Sequence, residues 1–227
     1  MTRRFLFSTC LLLGGVIGLA CSNIDAPSRA GPVYDWRLFV AFDSLGPRLD
    51  TLNFHWPRSA LPLRIWVEDV YGMPGHVQHG IDVWRDAFLY GEYDARLVSD
   101  SLTADVLVRA ISPPPFSGPA PSRLFTRLFP GCGGATDVDT VATRRELRVP
   151  VRVYVYPLLN PSTTDLNPCF DITATHELGH SLGLFQHSAD PNDVMFTDPQ
   201  STGLSSRDLL TVERLYHTPS DMVPVRP

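Results

Sequence analysis

The stretch HELGHSLGLFQH, from His176 to His187, carries three histidines, one glutamate and two glycines within twelve residues. His176 and His180 are four residues apart, so on a helix their imidazoles lie on the same face. A glycine at position 183 can adopt a positive φ, end the helix and turn the chain, which brings His187 back as a third ligand. Three protein ligands leave a fourth position open, as a catalytic zinc ion requires.

Glu177 adds a possible proton carrier to this pattern. It follows the first histidine and is expected to face the same cleft without reaching the metal. A carboxylate in that position can take a proton from water and later give one to a leaving amine. The alternatives are a helix with solvated histidines and a structural zinc site, which prefers four protein ligands. The residues favour one catalytic Zn²⁺ bound by His176, His180 and His187, with Glu177 as the general base.

The pattern H-E-x-x-H-x-x-G-x-x-H, followed by HSADPNDVMF, resembles the signature of the metzincin peptidases. The resemblance implies that Met195 forms an apolar floor below the metal without binding it. Within the metzincins the chain is most similar to matrixin-type peptidase domains, over roughly residues 60–217. The segment LSSRDLLTVERLY resembles their closing helix, and the residues around IDVWRDAF resemble their early helix. The implied activity is zinc-dependent hydrolysis of peptide bonds within a protein or peptide substrate.

The chain departs from the matrixin pattern at several points. The cysteine-switch segment is absent, and Thr197 stands after Phe196 where a proline is expected. No stretch matches the structural zinc and calcium loops of animal matrixins, so the resemblance does not extend to further ions such as Ca²⁺. Two other functions stay open: a non-catalytic, zinc-stabilised binding lipoprotein, and a zinc hydrolase of non-peptide amides.

The first residues, MTRRFLFSTCLLLGGVIGLAC, have the layout of a secretory signal peptide over residues 1–20. The apolar run is short for a transmembrane anchor. GLAC resembles a bacterial lipobox, which implies that Cys21 is lipidated and becomes the mature N-terminus. The alternative is cleavage after Ala20 and a soluble secreted protein. We therefore expect export, either as a cell-envelope lipoprotein of the outer membrane or periplasm, or as a secreted protein.

Cys132 and Cys169 remain once Cys10 and Cys21 are assigned to the signal and the lipid anchor. In an exported protein two such cysteines are more often paired than free, so we expect a disulfide. The formal net charge of −5 argues against a nucleic-acid partner, which would require a basic face. We expect a monomer that contacts a membrane only through its lipid anchor.

The residue patterns predict a layered α/β arrangement of the α+β class. Apolar alternation predicts strands within 61–69, 95–100 and 104–111, and helical spacing predicts a helix over 74–89. The resemblance adds a twisted, mostly parallel sheet with an antiparallel edge strand, an active-site helix, a Met-turn and a C-terminal helix. Four segments follow: a signal peptide (1–20), a lipidated N-terminus with linker and possible extra strand (21–58), the peptidase domain (59–217) and a loose C-terminal tail (218–227).

Several local predictions concern the surroundings of the site. Pro150, inside ELRVPVRVYVYP, predicts an edge strand, to which an extended peptide would add within residues 147–156. The glycine-rich stretch 131–137 and the proline-rich stretch 112–121 are predicted as loops. Asp171 or Thr173 is expected to cap the active-site helix, and Ser205 with Asp208 forms a capping-box pattern before the closing helix.

Overall fold

The computed structural model describes residues 29–42, 48–115, 122–128 and 131–226. The predicted signal peptide, Cys21 and most of the proline-rich stretch lie outside the described residues. Within the described part of the chain, no helix has the length and apolar character needed to cross a membrane.

Nine strands and three α-helices make up the described chain. The strands are β1 (Leu38–Phe42), β2 (Arg48–Leu52), β3 (Leu63–Val67), β4 (Ala95–Val98), β5 (Val106–Arg109), β6 (Ser122–Leu128), β7 (Cys132–Val141), β8 (Glu146–Pro157) and β9 (Val223–Val225). The helices are α1 (Met73–Arg85), α2 (Asn167–Leu182) and α3 (Ser206–Tyr216).

Seven of these strands form one twisted sheet in the order β4-β3-β5-β8-β7-β6, with β9 pairing beside β5 on β8. The β3–β4, β3–β5, β5–β8 and β8–β9 pairs are parallel, and the β8–β7 and β7–β6 pairs are antiparallel. Strands β1 and β2 form a separate antiparallel hairpin. The predicted fold class, a mostly parallel sheet with an antiparallel edge and packed helices, is confirmed.

Strand β8 is not at the edge of the sheet, so the prediction drawn from Pro150 is wrong. Strand β7 lies on one side of β8, and β5 and β9 lie on the other. Pro150 is tolerated because the ladder is interrupted there: β9 pairs as far as Arg148, and β5 begins to pair at Val151. On the other side the register with β7 shifts between Asp137 and Asp139. The missing N–H of proline therefore falls in a gap between paired segments.

From Cys132 onward, the glycine-rich stretch 131–137 is a strand rather than the predicted loop. It forms the first half of β7 and pairs with β6, a strand that the sequence patterns did not reveal. Among the described strands, β6 is therefore the edge on this side of the sheet. Glycine lacks strand propensity, but here it lets the backbone approach other groups closely. A Cβ at Gly133 would lie 2.5 Å from the Tyr156 ring.

Helices α1 and α2 are in close contact below the sheet. Trp84 on α1 donates an indole hydrogen bond to the carbonyl of Thr175 on α2, at 2.8 Å. A Cβ at Gly80 would lie 3.2 Å from the Thr175 Cα, so the small residue allows the helices to approach. This contact fixes α2, the helix that carries the histidines.

Helix α2 begins at Asn167, before either predicted cap. Pro168 occupies the first turn, where its missing N–H costs nothing, and this moves the start upstream of Asp171 and Thr173. The Asp171 carboxylate instead contacts the His76 ring at 2.6 Å. The prediction of a cap at Asp171 or Thr173 is wrong for this reason.

The closing helix α3 begins as predicted. The Ser205 hydroxyl accepts from the backbone N–H of Asp208, and the Asp208 carboxylate accepts from that of Ser205, which confirms the capping box. The chain after α3 is not loose, because Val223–Val225 extends the sheet as β9. The segment from Arg29 also packs on α3, with Arg29 paired to Glu213 at 2.7 Å.

Candidate metal centre

The three histidines of the sequence pattern converge on one point. His176 and His180 project from α2 and are fully buried, and the partly buried His187 returns from the following loop. The Nε2 atom of His180 lies 3.0 Å from that of His176 and 3.3 Å from that of His187. Among the described residues, these three form the cluster whose ligand atoms lie close enough together to hold a metal ion.

Backbone carbonyls fix the orientation of two of the rings. The Nδ1 atom of His176 lies 2.6 Å from the Val194 carbonyl oxygen, and the Nδ1 atom of His180 lies 2.5 Å from the Leu184 carbonyl oxygen. A carbonyl oxygen only accepts, so Nδ1 carries the proton in both neutral rings and each Nε2 presents a lone pair. Such a second contact is the usual support of a metal-binding histidine.

Burial keeps these imidazoles neutral. Burial and the neighbouring His187 lower the pKa of His176 to about 3. Burial, followed by the charges of the other two rings, lowers the pKa of His180 well below its usual value, and burial lowers that of His187. Neutral imidazole is the form that binds metals.

The cluster fits a divalent metal ion. Nε2 lone pairs that face each other at 3.0 and 3.3 Å repel unless a cation lies between them. A tetrahedral ion with Zn–N distances of about 2.0–2.1 Å places its ligand nitrogens roughly 3.3 Å apart. Gly183 makes this arrangement possible: it ends α2 with φ +115°, as the sequence predicted, and a Cβ there would overlap the Phe54 carbonyl.

Met195 lies in a tight turn beside α2 and is fully buried. A Cβ at Gly179 would overlap the Met195 sulfur and would lie 2.7 Å from the Trp84 ring. The Met195 carbonyl accepts a hydrogen bond from the Ser188 N–H at 2.8 Å. The methionine thus packs against the histidine helix and joins the turn to the segment that carries His187.

Two buried carboxylates, Asp193 in this turn and Asp208 on α3, join the turn to the start of α3. Asp208 accepts the Val194 N–H at 2.8 Å and the Tyr34 hydroxyl at 2.9 Å. Asp193 accepts hydrogen bonds from the side chains of Ser188, Ser205 and Arg207. Burial raises the pKa of Asp208, although hydrogen bonds from two backbone N–H groups act against that rise. The network joins the start of α3 to Val194, whose carbonyl orients His176.

Glu177 follows His176 on α2, is fully buried and packs against strand β7 of the sheet. The Thr136 hydroxyl on β7 donates to Glu177 Oε2 at 2.6 Å. A Cβ at Gly134, two residues earlier on the same strand, would overlap the Glu177 carboxylate. Sequence reasoning missed both β7 residues, because it interpreted the stretch as a loop. The signal that could have found them is the close spacing of glycines beside a predicted disulfide.

Cys132 and Cys169 are joined by a disulfide, which ties the start of β7 to the first turn of α2. A Cβ at Gly131 would lie 3.0 Å from the Cys169 sulfur, so this corner is tightly packed. The bond lies at the same strand–helix contact as Thr136 and Glu177, and it holds the two elements together.

The four other described histidines, at positions 55, 76, 79 and 217, lie outside this cluster. His76 pairs with Asp171, and His217 lies 3.1 Å from Glu92. His55 stacks on Tyr216 with ring centroids 5.0 Å apart. A cavity of about 310 Å³ is lined by His55, Trp56, Arg58, Glu92, Tyr216, His217, Thr218 and Pro219.

Comparisons with known proteins match the part of the chain that holds the histidines. The matrixin peptidase family model matches residues 152–217. Matrilysin of Homo sapiens is 50% identical over 52 residues, which are 21% of this chain and 19% of the relative. Matrilysin of Felis catus is 46% identical over 52 residues, 21% of this chain and 20% of the relative. Matrix metalloproteinase-26 of Homo sapiens is 38% identical over 60 residues, 24% of this chain and 23% of the relative.

The chain spans about a fifth of the length of these curated relatives. The family match includes α2, the Met195 turn and α3, and it begins after β7. The part of the chain that holds the three histidines, residues 152–217, is therefore similar to the matrixin peptidases.

Proposed function

We propose that the protein is a zinc-dependent endopeptidase. His176, His180 and His187 would hold one zinc ion, and Glu177 would act as the general base. The observation that carries the proposal is the convergence of three imidazoles, two from α2 and one from the loop after it, each within 3.3 Å of the next at Nε2. The same helix carries Glu177. The likeness of residues 152–217 to matrixin peptidases supports it.

Zinc at such a site supplies Lewis-acid polarisation of the scissile carbonyl and makes water more acidic. Glu177 would accept a proton from the attacking water and deliver it to the leaving amine. Its carboxylate is excluded from solvent, so the proton stays within the site during this transfer. Met195 would pack below the histidines as an apolar support and would bind no metal.

We also propose that the protein is exported, with Cys21 as the site of lipid attachment, and that it acts as a monomer on proteins or peptides. The Cys132–Cys169 disulfide supports export, because such bonds persist in oxidising compartments. A peptide cannot add to β8, as the sequence suggested, because both sides of that strand are already paired.

The test is metal analysis of the purified mature protein together with cleavage of a peptide library. We expect about one zinc per chain, as a single three-histidine site predicts. Cleavage should stop when a chelator removes zinc and return when zinc is restored. Glu177→Ala should keep its zinc and lose about 10²–10⁴-fold in kcat.

Two results would contradict this function. If Glu177→Ala cleaved peptides at the parent rate, Glu177 would not be the base. If the zinc-loaded parent cleaved no peptide in the library, the binding lipoprotein or the hydrolase of non-peptide amides would be favoured. Amide substrates outside the peptide class would then separate those two.

A further inference from the structure

We propose that Thr136 is a positioning residue for Glu177, a role that rests on the proposed function. Thr136 lies on β7, outside the segment that matches the matrixin family. Its hydroxyl holds one oxygen of the carboxylate, and the strand holds the hydroxyl. Through this contact the sheet sets the direction in which the base faces.

The contact is short and fully buried. Thr136 Oγ1 lies 2.6 Å from Glu177 Oε2 and 3.3 Å from the backbone carbonyl oxygen of Glu177, and both residues are 0% exposed. A hydroxyl that donates to a carboxylate makes a charge-assisted hydrogen bond, roughly twice as strong as a neutral one. Water does not compete with it at this depth.

Thr136 itself is held firmly by the sheet. It pairs with Val153 of β8 on one side and with Leu124 of β6 on the other. Threonine is also stiff at χ1, because it is branched at Cβ. The donor therefore has a defined position relative to the sheet, which the longer and more flexible glutamate side chain does not have by itself.

Gly134 shapes the same face of β7 around the carboxylate. Residues 134 and 136 point to the same side of the strand, since side chains alternate. A Cβ at Gly134 would overlap Glu177 Oε1 and lie 2.8 Å from its Cδ. Position 134 thus leaves room for the Glu177 carboxylate, and position 136 on the same face provides its hydrogen-bond donor.

A base must meet its proton at a defined distance and angle, and an error of about 1 Å can cost about 10²-fold in rate. If Thr136 merely satisfied a buried carboxylate, its removal would lower stability and leave the chemical step unchanged. If it positions the base, its removal lowers kcat while KM and zinc content stay the same. The two roles are therefore separable by experiment.

The experiment compares Thr136→Val, which keeps the shape and removes the donor, with Thr136→Ser, which keeps the donor. The matched control is Thr173→Val: Thr173 is equally buried and near Gly134, and its hydroxyl has no hydrogen-bond partner among the described residues. We expect kcat to fall about 10–100-fold in Thr136→Val, with KM and zinc unchanged. Thr136→Ser and Thr173→Val should stay within about threefold of the parent, since positioning is kept.

A second arm places Thr136→Val in the Glu177→Ala background. If Thr136 acts through Glu177, the second substitution adds no further loss, because residues that act as a unit are not additive. Thr136→Ala takes the place of the valine variant should that protein fail to fold. It also removes the donor and introduces no larger side chain.

The proposal is overturned if Thr136→Val matches or exceeds the parent in kcat, if it loses zinc, or if Thr136→Ser falls as far as the valine variant. An equal loss in the Glu177→Ala background would also overturn it. Failure of the proposed function gives a different result, in which the parent is inactive on peptides or Glu177→Ala is fully active. The experiment therefore distinguishes failure of the positioning role of Thr136 from failure of the proposed peptidase function.

Discussion

The two sides of helix α2 are organised in different ways. On the histidine side, the orienting groups come from nearby in the chain: the Leu184 carbonyl is 4 residues beyond His180, and the Val194 carbonyl is 18 residues beyond His176. On the glutamate side, Thr136 is 41 residues before Glu177 and belongs to the sheet. The three histidines are thus oriented within one continuous stretch, whereas Glu177 depends on a strand that must first pair correctly.

The largest expected effect separates the two sides most clearly. His187→Ala removes one of the three proposed ligands, so we expect the protein to bind less than one zinc per chain. We expect kcat to fall by at least the 10²–10⁴-fold predicted for Glu177→Ala. Metal content and peptide cleavage measure the two losses. Glu177→Ala is the partner variant, because it should lose activity alone. If His187→Ala kept zinc at the parent affinity, the histidine side would not be the metal site.

The disulfide is the next largest effect and tests the strand side. Replacing Cys132 and Cys169 with serine opens a loop of 37 residues in the unfolded chain. We expect the free energy of unfolding to fall by about 3–4 kcal/mol, measured by denaturant titration at neutral pH. Because the bond ties β7 to α2, activity should fall more than zinc content. The reverse order would mean that the disulfide supports the histidines and not the base.

Gly134→Ala should give a smaller effect on the same side. The added Cβ would overlap the Glu177 carboxylate, so we expect kcat to fall about 10-fold or more with zinc retained. Gly203→Ala is the matched control, since a Cβ there would lie 3.9 Å from its nearest neighbour, Ser201 Oγ. Parent activity in Gly134→Ala would show that the carboxylate does not need its position against β7.

The smallest expected effect concerns the Ser205 cap of α3, which contacts Asp193 in the turn beside the histidines. Ser205→Ala removes the cap of α3 and the 2.6 Å contact to Asp193. We expect a loss of about 1 kcal/mol in unfolding free energy and no change in zinc content. The exposed Ser162→Ala is the control. A marked loss of zinc in Ser205→Ala would show that the turn at Met195 depends on α3 more than its own hydrogen bonds suggest.

The sequence predicted what is local and missed what is distant. The three histidines, the turn at Gly183 and the Ser205 cap each depend on residues within a few turns of chain, so their spacing alone specified them. The position of β8 could not be predicted in this way. Pro150 suggested an edge, and only the pairing of β5, β9 and β7 shows that the proline lies at a break in the ladder.

Strand β7 was missed for a related reason. Its glycines lack the alternation of apolar residues that indicates a strand, and they are used here for close approach to α2. The contact between Thr136 and Glu177 follows from the packing of this strand, so no reading of local spacing could reveal it. The residues that contact Glu177 were therefore the part of the site that could not be predicted from the sequence.

Strand β6, the hairpin partner of β7, limits how closely another polypeptide can approach this edge of the sheet. Thr126 of β6 pairs with Gly134, the residue that contacts Glu177. The strand position nearest to the glutamate is therefore occupied by the protein's own backbone. A polypeptide that adds to this edge as a further strand must lie one strand spacing beyond β6, about 4.8 Å farther from Glu177, or must displace Ser122–Leu128. Because β6 extends past Gly134, it sets the shortest distance between an added strand and the glutamate.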